Sequence, residues 1–225
     1  MKHGLIILLL LILGITVHAQ VNTFEIDSSK FNKPLMVTLD SLYQKDQEIR
    51  YEFQSAIESQ AVPARMDSLL NIMHKQDKEN LALVRSLLAK HGWLSPQKVG
   101  IDASQALFLV IQHADLATQE QYLPMIRTAE KKKEILSSNL AILEDRINMR
   151  KGLKQVYGSQ GFPDKQSGRM YIYPVVDPDK LDERRASVGL VPMAQYTKAM
   201  NIIWNLEEYK NMLPEIEKLA EKHKF

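Results

Sequence analysis

Three groups of polar residues in this chain have the types and spacing that chemistry needs. The first is Asp46 with Gln47 and Arg50, opposite Asp77. Leu35, Leu39, Leu42, Ile49, Phe53 and Ala56 recur at helical intervals and form one apolar face. Asp46 falls inside that face, between Leu42 and Ile49. A second stripe, carried by Met66, Leu69, Leu70, Met73, Leu81, Val84, Leu87 and Leu88, takes in Asp77 in the same way. Asp46 lies 15 residues before Ala61 and Asp77 lies 16 after it, so a hairpin turning near Ala61 sets the two carboxylates at one level. Two buried carboxylates at close range cannot both ionise cheaply, and they need a cation, a shared proton or a metal. Arg50, one turn from Asp46, supplies a charge, and Asn80, one turn from Asp77, offers a donor and an acceptor. The plainer reading is a polar layer that sets the register of two helices.

The second group is Gln112-His113-Ala114-Asp115, at the end of an apolar helix. Asp115 beside His113 has the composition of a general-base unit. The alternatives are a helix cap for Asp115 and a satisfied structural histidine for His113. The third group is Asp145-Arg146, whose helix has one apolar face of Leu140, Leu143 and Ile147 and another of Ile142 and Met149. Both charges flank the second face, and a buried charge requires a partner. Arg146 can hold a carboxylate of the protein or of a ligand. The catalytic candidates are therefore His113, Asp115 and Asp145, and the ligand-binding candidates are Asp46, Gln47, Arg50, Arg146, Tyr157 and Gln160. No cofactor and no metal is required, but a divalent ion, if bound, would take Asp46, Asp77 and His113. Phosphate loop, dinucleotide fingerprint, nucleophile elbow and H-E-x-x-H helix are absent from the sequence.

The elements that must position these groups are mostly helices. Asn32 with Pro34 opens the first, which ends before Ala61-Val62-Pro63. The second ends at Lys90-His91-Gly92, so the two form a long antiparallel hairpin. Asp102 is suited to cap a third helix, apolar all round from Ala106 to Ile111 and hence central. Thr118 with Gln121 fits a capping box for a fourth helix reaching about Lys133, and Ser137 or Ser138 starts a fifth that ends near Gly152. Gln155–Gln160 and Met170–Tyr173 read as β-prone runs around a turn-rich stretch, predicting a small β-hairpin. Asp177-Pro178 and Val191-Pro192 open short helices, and residues 201–225 read as a helical tail interrupted at Pro214. The fold class is mainly α. Its expected parts are a signal peptide at 1–19, a leader at 20–33, one α-rich domain over 34–200 and a helical C-terminal extension over 201–225.

Composition narrows the function. Lys2 starts a basic segment, Leu5–Leu13 is apolar throughout, and Val17-His18-Ala19 suits a signal peptidase, so cleavage before Gln20 and export to the periplasm or medium are expected. That apolar segment is short for a membrane span of about 20 residues, so no stable anchor is expected after cleavage. Removing Lys2 from the 29 basic residues leaves 28 against 27 acidic ones, a balance with no footprint for nucleic acid. With no cysteine, disulfides, thiol catalysis and Cys-zinc sites are excluded.

Several motifs occur in a recognisable order: Asp46-Gln47 with Arg50, His91-Gly92-Trp93, Val99-Gly100 with Asp102, and Gln112-His113-Ala114-Asp115. Leu143-Glu144-Asp145-Arg146, Gln155-Val156-Tyr157-Gly158-Ser159-Gln160 and Asp182-Glu183-Arg184-Arg185 with Gly189-Leu190 and Pro192 follow. In this series the chain resembles an uncharacterised bacterial domain-of-unknown-function family, DUF6624-like, over about residues 40–200. Ser159 stands where the family motif has Thr, and Lys133-Glu134 where many relatives have Gly-Glu. The resemblance implies no activity and no catalytic residues. It does imply that the polar residues found by spacing are the family's motif residues.

One pocket would unite Asp46, Gln47, Arg50, Asp77, His113, Asp145, Arg146 and Gln160 if the central helix packs between the hairpin and the fifth helix. The first functional expectation is an exported helical binding or interaction module for a small molecule, a peptide or a partner protein. The second is a hydrolase or lyase with His113 as base, Asp115 or Asp145 as orienter, and Arg146 with Gln160 binding anion and amide. The third is a divalent-metal protein. Oligomeric state is not legible in the sequence.

Overall fold

Asn32 caps the first helix as its residue type predicts: its side-chain oxygen accepts from the Leu35 N–H at 3.2 Å, and Pro34 sits in the first turn. In the computed structural model this helix, α1, spans Lys33–Glu58. The structure describes residues 24–164, 166–198, 202 and 204–223, so the expected signal peptide and the first part of the leader lie outside the described residues. The described chain forms two compact units, one within residues 24–136 and the other among the described residues from Ser137 onward.

In the first unit α2 spans Pro63–His91 and ends at Gly92, so the long helical hairpin is present. Its seam is apolar: Ile49, Phe53 and Ala56 of α1 pack with Leu69 of α2. A short α3 (Pro96–Val99) leads into α4 (Ile101–His113). Nine of the thirteen residues of α4 are buried, including every one from Ala106 to Gln112, which makes it the central helix that its apolar sequence predicts. Its cap is Gly100 rather than Asp102, which lies in the first turn. The helix α1 packs along both α2 and α4. α5 (Leu116–Lys131) is capped by Asp115, whose side chain accepts from the Thr118 N–H at 2.7 Å. The Thr118 capping box is therefore displaced by a cap three residues earlier.

The second unit opens with α6 (Ser137–Arg150). Strands β1 (Gly161–Pro163) and β2 (Met170–Ile172) pair antiparallel, with Gly161 opposite Ile172 and Pro163 opposite Met170. The hairpin is thus present, but Gln155–Gln160 is a loop ahead of it and not its first strand. α7 (Leu181–Ser187), α8 (Met193–Lys198) and α9 (Leu206–Lys222) follow. α9 runs through Pro214 without a break, because Pro214 lies on the exposed side, where the carbonyl left without a donor can meet water. Met149, Phe162, Ile172, Leu181, Met193, Tyr209, Ile216 and Ala220 build the core of this unit. The C-terminal segment read as an extension thus supplies one wall of that core. Among the described residues no helix is long and apolar enough to cross a membrane.

Candidate functional site

The first unit gathers four charged or titratable side chains from three helices. Asp46 of α1 is 1% exposed. Its Oδ2 accepts from Gln47 Nε2 at 2.8 Å and from Arg50 Nε at 3.3 Å. Its Oδ1 accepts from Arg50 Nη2 at 3.2 Å and lies 3.4 Å from His113 Nδ1 at the end of α4. The same Arg50 Nη2 reaches Asp77 Oδ1 of α2 at 2.5 Å. The two carboxylates expected at one level of the hairpin therefore share one guanidinium. The remaining Arg50 nitrogen, Nη1, meets the Met73 thioether at 3.2 Å, a weak acceptor.

The electrostatics of the two carboxylates diverge. Burial pushes the Asp46 carboxyl up, but His113 and Arg50 outweigh it and hold the group well below the usual carboxylate range. Burial also pushes Asp77 up, and there it wins: Arg50 pulls down, while the neighbouring charge of Asp46 adds to the rise. Asp46 is thus a fixed anion beside His113. The cluster meets solvent on the side of Arg50 and Asp77, whose side chains are 20% and 24% exposed, while the His113 side chain is 4% exposed. Asp46, Asp77 and His113 each offer a ligand atom, and these atoms lie within 4.8 Å of one another.

Asp115 does other work. It caps α5, and the carboxylate at His113 Nδ1 is Asp46, which comes 67 residues earlier in the chain. Gln112 of the same motif is fully buried, and its carbonyl accepts from Gln119 Nε2 at 2.8 Å.

The second unit holds its own polar network around the loop of residues 155–160. Asp145 of α6 has no exposed surface and accepts three backbone N–H groups of that loop. Val156 donates at 2.7 Å, Tyr157 at 3.0 Å and Ser159 at 2.9 Å. These charge-assisted bonds offset part of the several kcal/mol that burial of an ionised carboxylate costs, but burial outweighs them and pushes the Asp145 carboxyl above its ordinary value. The loop carbonyls are taken by other side chains. Arg184 Nε donates to Val156 O at 2.9 Å, Arg185 Nη1 to Tyr157 O at 2.6 Å, and Tyr196 Oη to Ser159 O at 2.6 Å. Gln155 closes the loop on itself: Oε1 accepts from the Gln160 N–H at 2.8 Å and Nε2 donates to Gln160 O at 2.9 Å. Gly158, at φ 64°, lets the chain turn against Met193. Arg146 Nε donates to Gln160 Oε1 at 3.2 Å, and Gln160 Nε2 donates to Ser159 Oγ at 2.9 Å.

Each unit brings some of the candidates together. Asp46, Gln47, Arg50, Asp77 and His113 gather in the first, and Asp145, Arg146, Tyr157 and Gln160 belong to the second. Arg184, Arg185, Tyr196 and Gln155 are functional residues of this loop that no apolar spacing marks out, although Gln155, Arg184 and Arg185 belong to the family-like motifs. A signal existed for Arg185: it lies four residues after Leu181, and these two are the buried residues of the short α7. Its guanidinium carbon also sits 4.7 Å from the centre of the Tyr196 ring.

The profile of a family described as "Family of unknown function (DUF6624)" covers residues 34–208. No curated protein and no solved structure matches.

Proposed function

The chain belongs to the DUF6624 family of unknown function, and we propose that it is an exported, helix-built binding module whose polar site is centred on Asp46 and His113. One observation carries the reading: a carboxylate at 1% exposure contacts Gln47, Arg50 and His113 together. Apolar residues join helices at lower cost, because burying an ion costs several kcal/mol. A charged cluster kept at that cost, with Arg50 and Asp77 still reached by solvent, suits a ligand. Arg50 offers two-pronged recognition of a carboxylate. Asp77 offers an acceptor to an amine or hydroxyl. A small acid or a peptide terminus fits this chemistry. The basic start, apolar run and Val17-His18-Ala19 within residues 1–19 support export.

A thermal-shift screen of small acids and short peptides, in buffer containing a chelator, tests the reading. The expected result is a ligand whose affinity falls at least tenfold in Arg50→Gln and His113→Gln, both still folded. If no ligand is found and both variants only lose stability, the cluster is a register device and the reading fails.

A second reading is favoured by the 3.4 Å approach of His113 Nδ1 to Asp46. A donated Nδ1–H makes Nε2 the basic nitrogen, which is how a buried carboxylate orients a general base. In a hydrolase or lyase of this design Asp46 takes the orienting role expected of Asp115 or Asp145. Turnover of a hydrolase or lyase substrate panel should then fall about 10²–10⁴-fold in His113→Gln. Turnover that is absent, or indifferent to His113, removes it.

A further inference from the structure

We propose that Asp46, Asp77 and His113 form a divalent-cation site, with zinc as the best-suited ion, in which Arg50 is the built-in occupant that the ion displaces. The proposal rests on reading this cluster as a ligand site, and it assigns the chemistry of the ligand.

The donor set comes first. Two carboxylate oxygens and one imidazole nitrogen lie within 4.8 Å of one another. Around an ion with bonds of about 2.0–2.2 Å, ligand atoms stand up to about 4 Å apart. A small rotation of the Asp77 side chain, which is 24% exposed, closes the difference. Oxygen, oxygen and nitrogen donors suit zinc and, next, manganese, whereas calcium and magnesium prefer oxygen alone. Three protein ligands leave a fourth position for water or an organic ligand, as in catalytic zinc sites.

The position of Arg50 is the independent observation. Its Nη2 touches both carboxylates, so the fold already places positive charge at the point where a metal ion would sit. That hold is incomplete, since Nη1 rests on a thioether. Arg50 is 20% exposed and its side chain is long, so it can swing to solvent while the three donors keep their places. With Arg50 in place the two carboxylates share one positive charge; a divalent ion balances both.

Tag-free chain, stripped with a chelator and dialysed, is titrated with zinc chloride and followed by calorimetry and thermal melting. The expected result is one zinc per chain and a rise in melting temperature of several degrees. Asp77→Asn, at a partly exposed position, should weaken uptake at least tenfold without unfolding the chelator-treated chain. His113→Ala should do the same. Arg50→Met should lose stability in chelator and regain it with zinc. Absence of stoichiometric uptake of both zinc and manganese overturns the proposal, as does uptake unchanged in Asp77→Asn and His113→Ala. Organic-ligand binding that persists in chelator while zinc uptake fails removes the ion and keeps the binding module. Zinc uptake without any organic ligand keeps the ion site and counts against the module.

Discussion

Asp145 sits where no solvent reaches it and turns both oxygens to backbone N–H groups of the loop it faces. Hydrogen bonds to a charged acceptor contribute about 1.5–3 kcal/mol each. Asp145→Asn removes the charge and sets an NH2 group among donors, so a loss of about 3 kcal/mol is expected. The urea midpoint at pH 7 measures it, and a change near zero would mean that the carbonyl clamps alone hold the loop. Asp46 and Asp77 were legible because each interrupts an apolar stripe, and a charge on a buried face announces itself. The pairing of His113 with Asp46 was not legible. It joins residues 67 apart on different helices, and no local pattern encodes that. Asp115, next to His113 in sequence, was the tempting partner, but a residue just ahead of a helix is better placed to cap it.

At the scale of elements, α9 shows how one side chain ties a helix to its neighbours. The Tyr209 hydroxyl accepts from the Val175 N–H at 3.0 Å and donates to Tyr173 O at 3.2 Å. Burial pushes the Tyr209 phenol well above its ordinary value, and it raises Tyr173 and Tyr196 as well. Below about pH 10 these phenols are neutral in both folded and unfolded chains, and their contribution is fully present. As pH rises past 10 the unfolded chain ionises first, so stability falls. Urea melts at pH 7 and pH 10.5 should show this loss, and Tyr209→Phe should lessen it. At pH 7 the same variant should cost about 1–3 kcal/mol, because the Val175 N–H loses its acceptor. An equal pH dependence in variant and wild type would show that Tyr209 ionises freely in the fold. The helices were legible from periodicity and caps, as Asn32 and Gly92 illustrate. The loop of residues 155–160 was not. Its residues favour strands, yet its N–H and C=O groups bond to side chains of α6, α7 and α8, which leave no period in the sequence. Pro214 misled for a similar reason, since whether a proline breaks a helix depends on which side meets water.

At the scale of the whole chain, two compact units meet in sequence between Leu136 and Ser137, a few residues after α5 ends. Lys131, Lys132 and Lys133 are exposed just ahead of that boundary, and Lys133 takes φ 58°. Brief trypsin treatment should cut first among these lysines and yield two large fragments on a denaturing gel. First cuts at Lys45 or Lys78, inside the helical hairpin, would contradict the division. With no cysteine, stability should also be indifferent to reductant. The loop of residues 155–160 carries a consequence in time. Its N–H acceptor, Asp145, precedes Ser159 by 14 residues, but the hydroxyl that holds its Ser159 carbonyl, on Tyr196, follows by 37. Synthesis at about 5–20 residues per second delivers that hydroxyl roughly 2–7 s after Ser159 itself. Until then the nascent segment has Asp145 and its own Gln155, while Arg184, Arg185 and Tyr196, which hold the carbonyls of Val156, Tyr157 and Ser159, are still arriving. Its final shape is therefore completed late, when α7 and α8 arrive to hold the carbonyls that Gln155 does not reach.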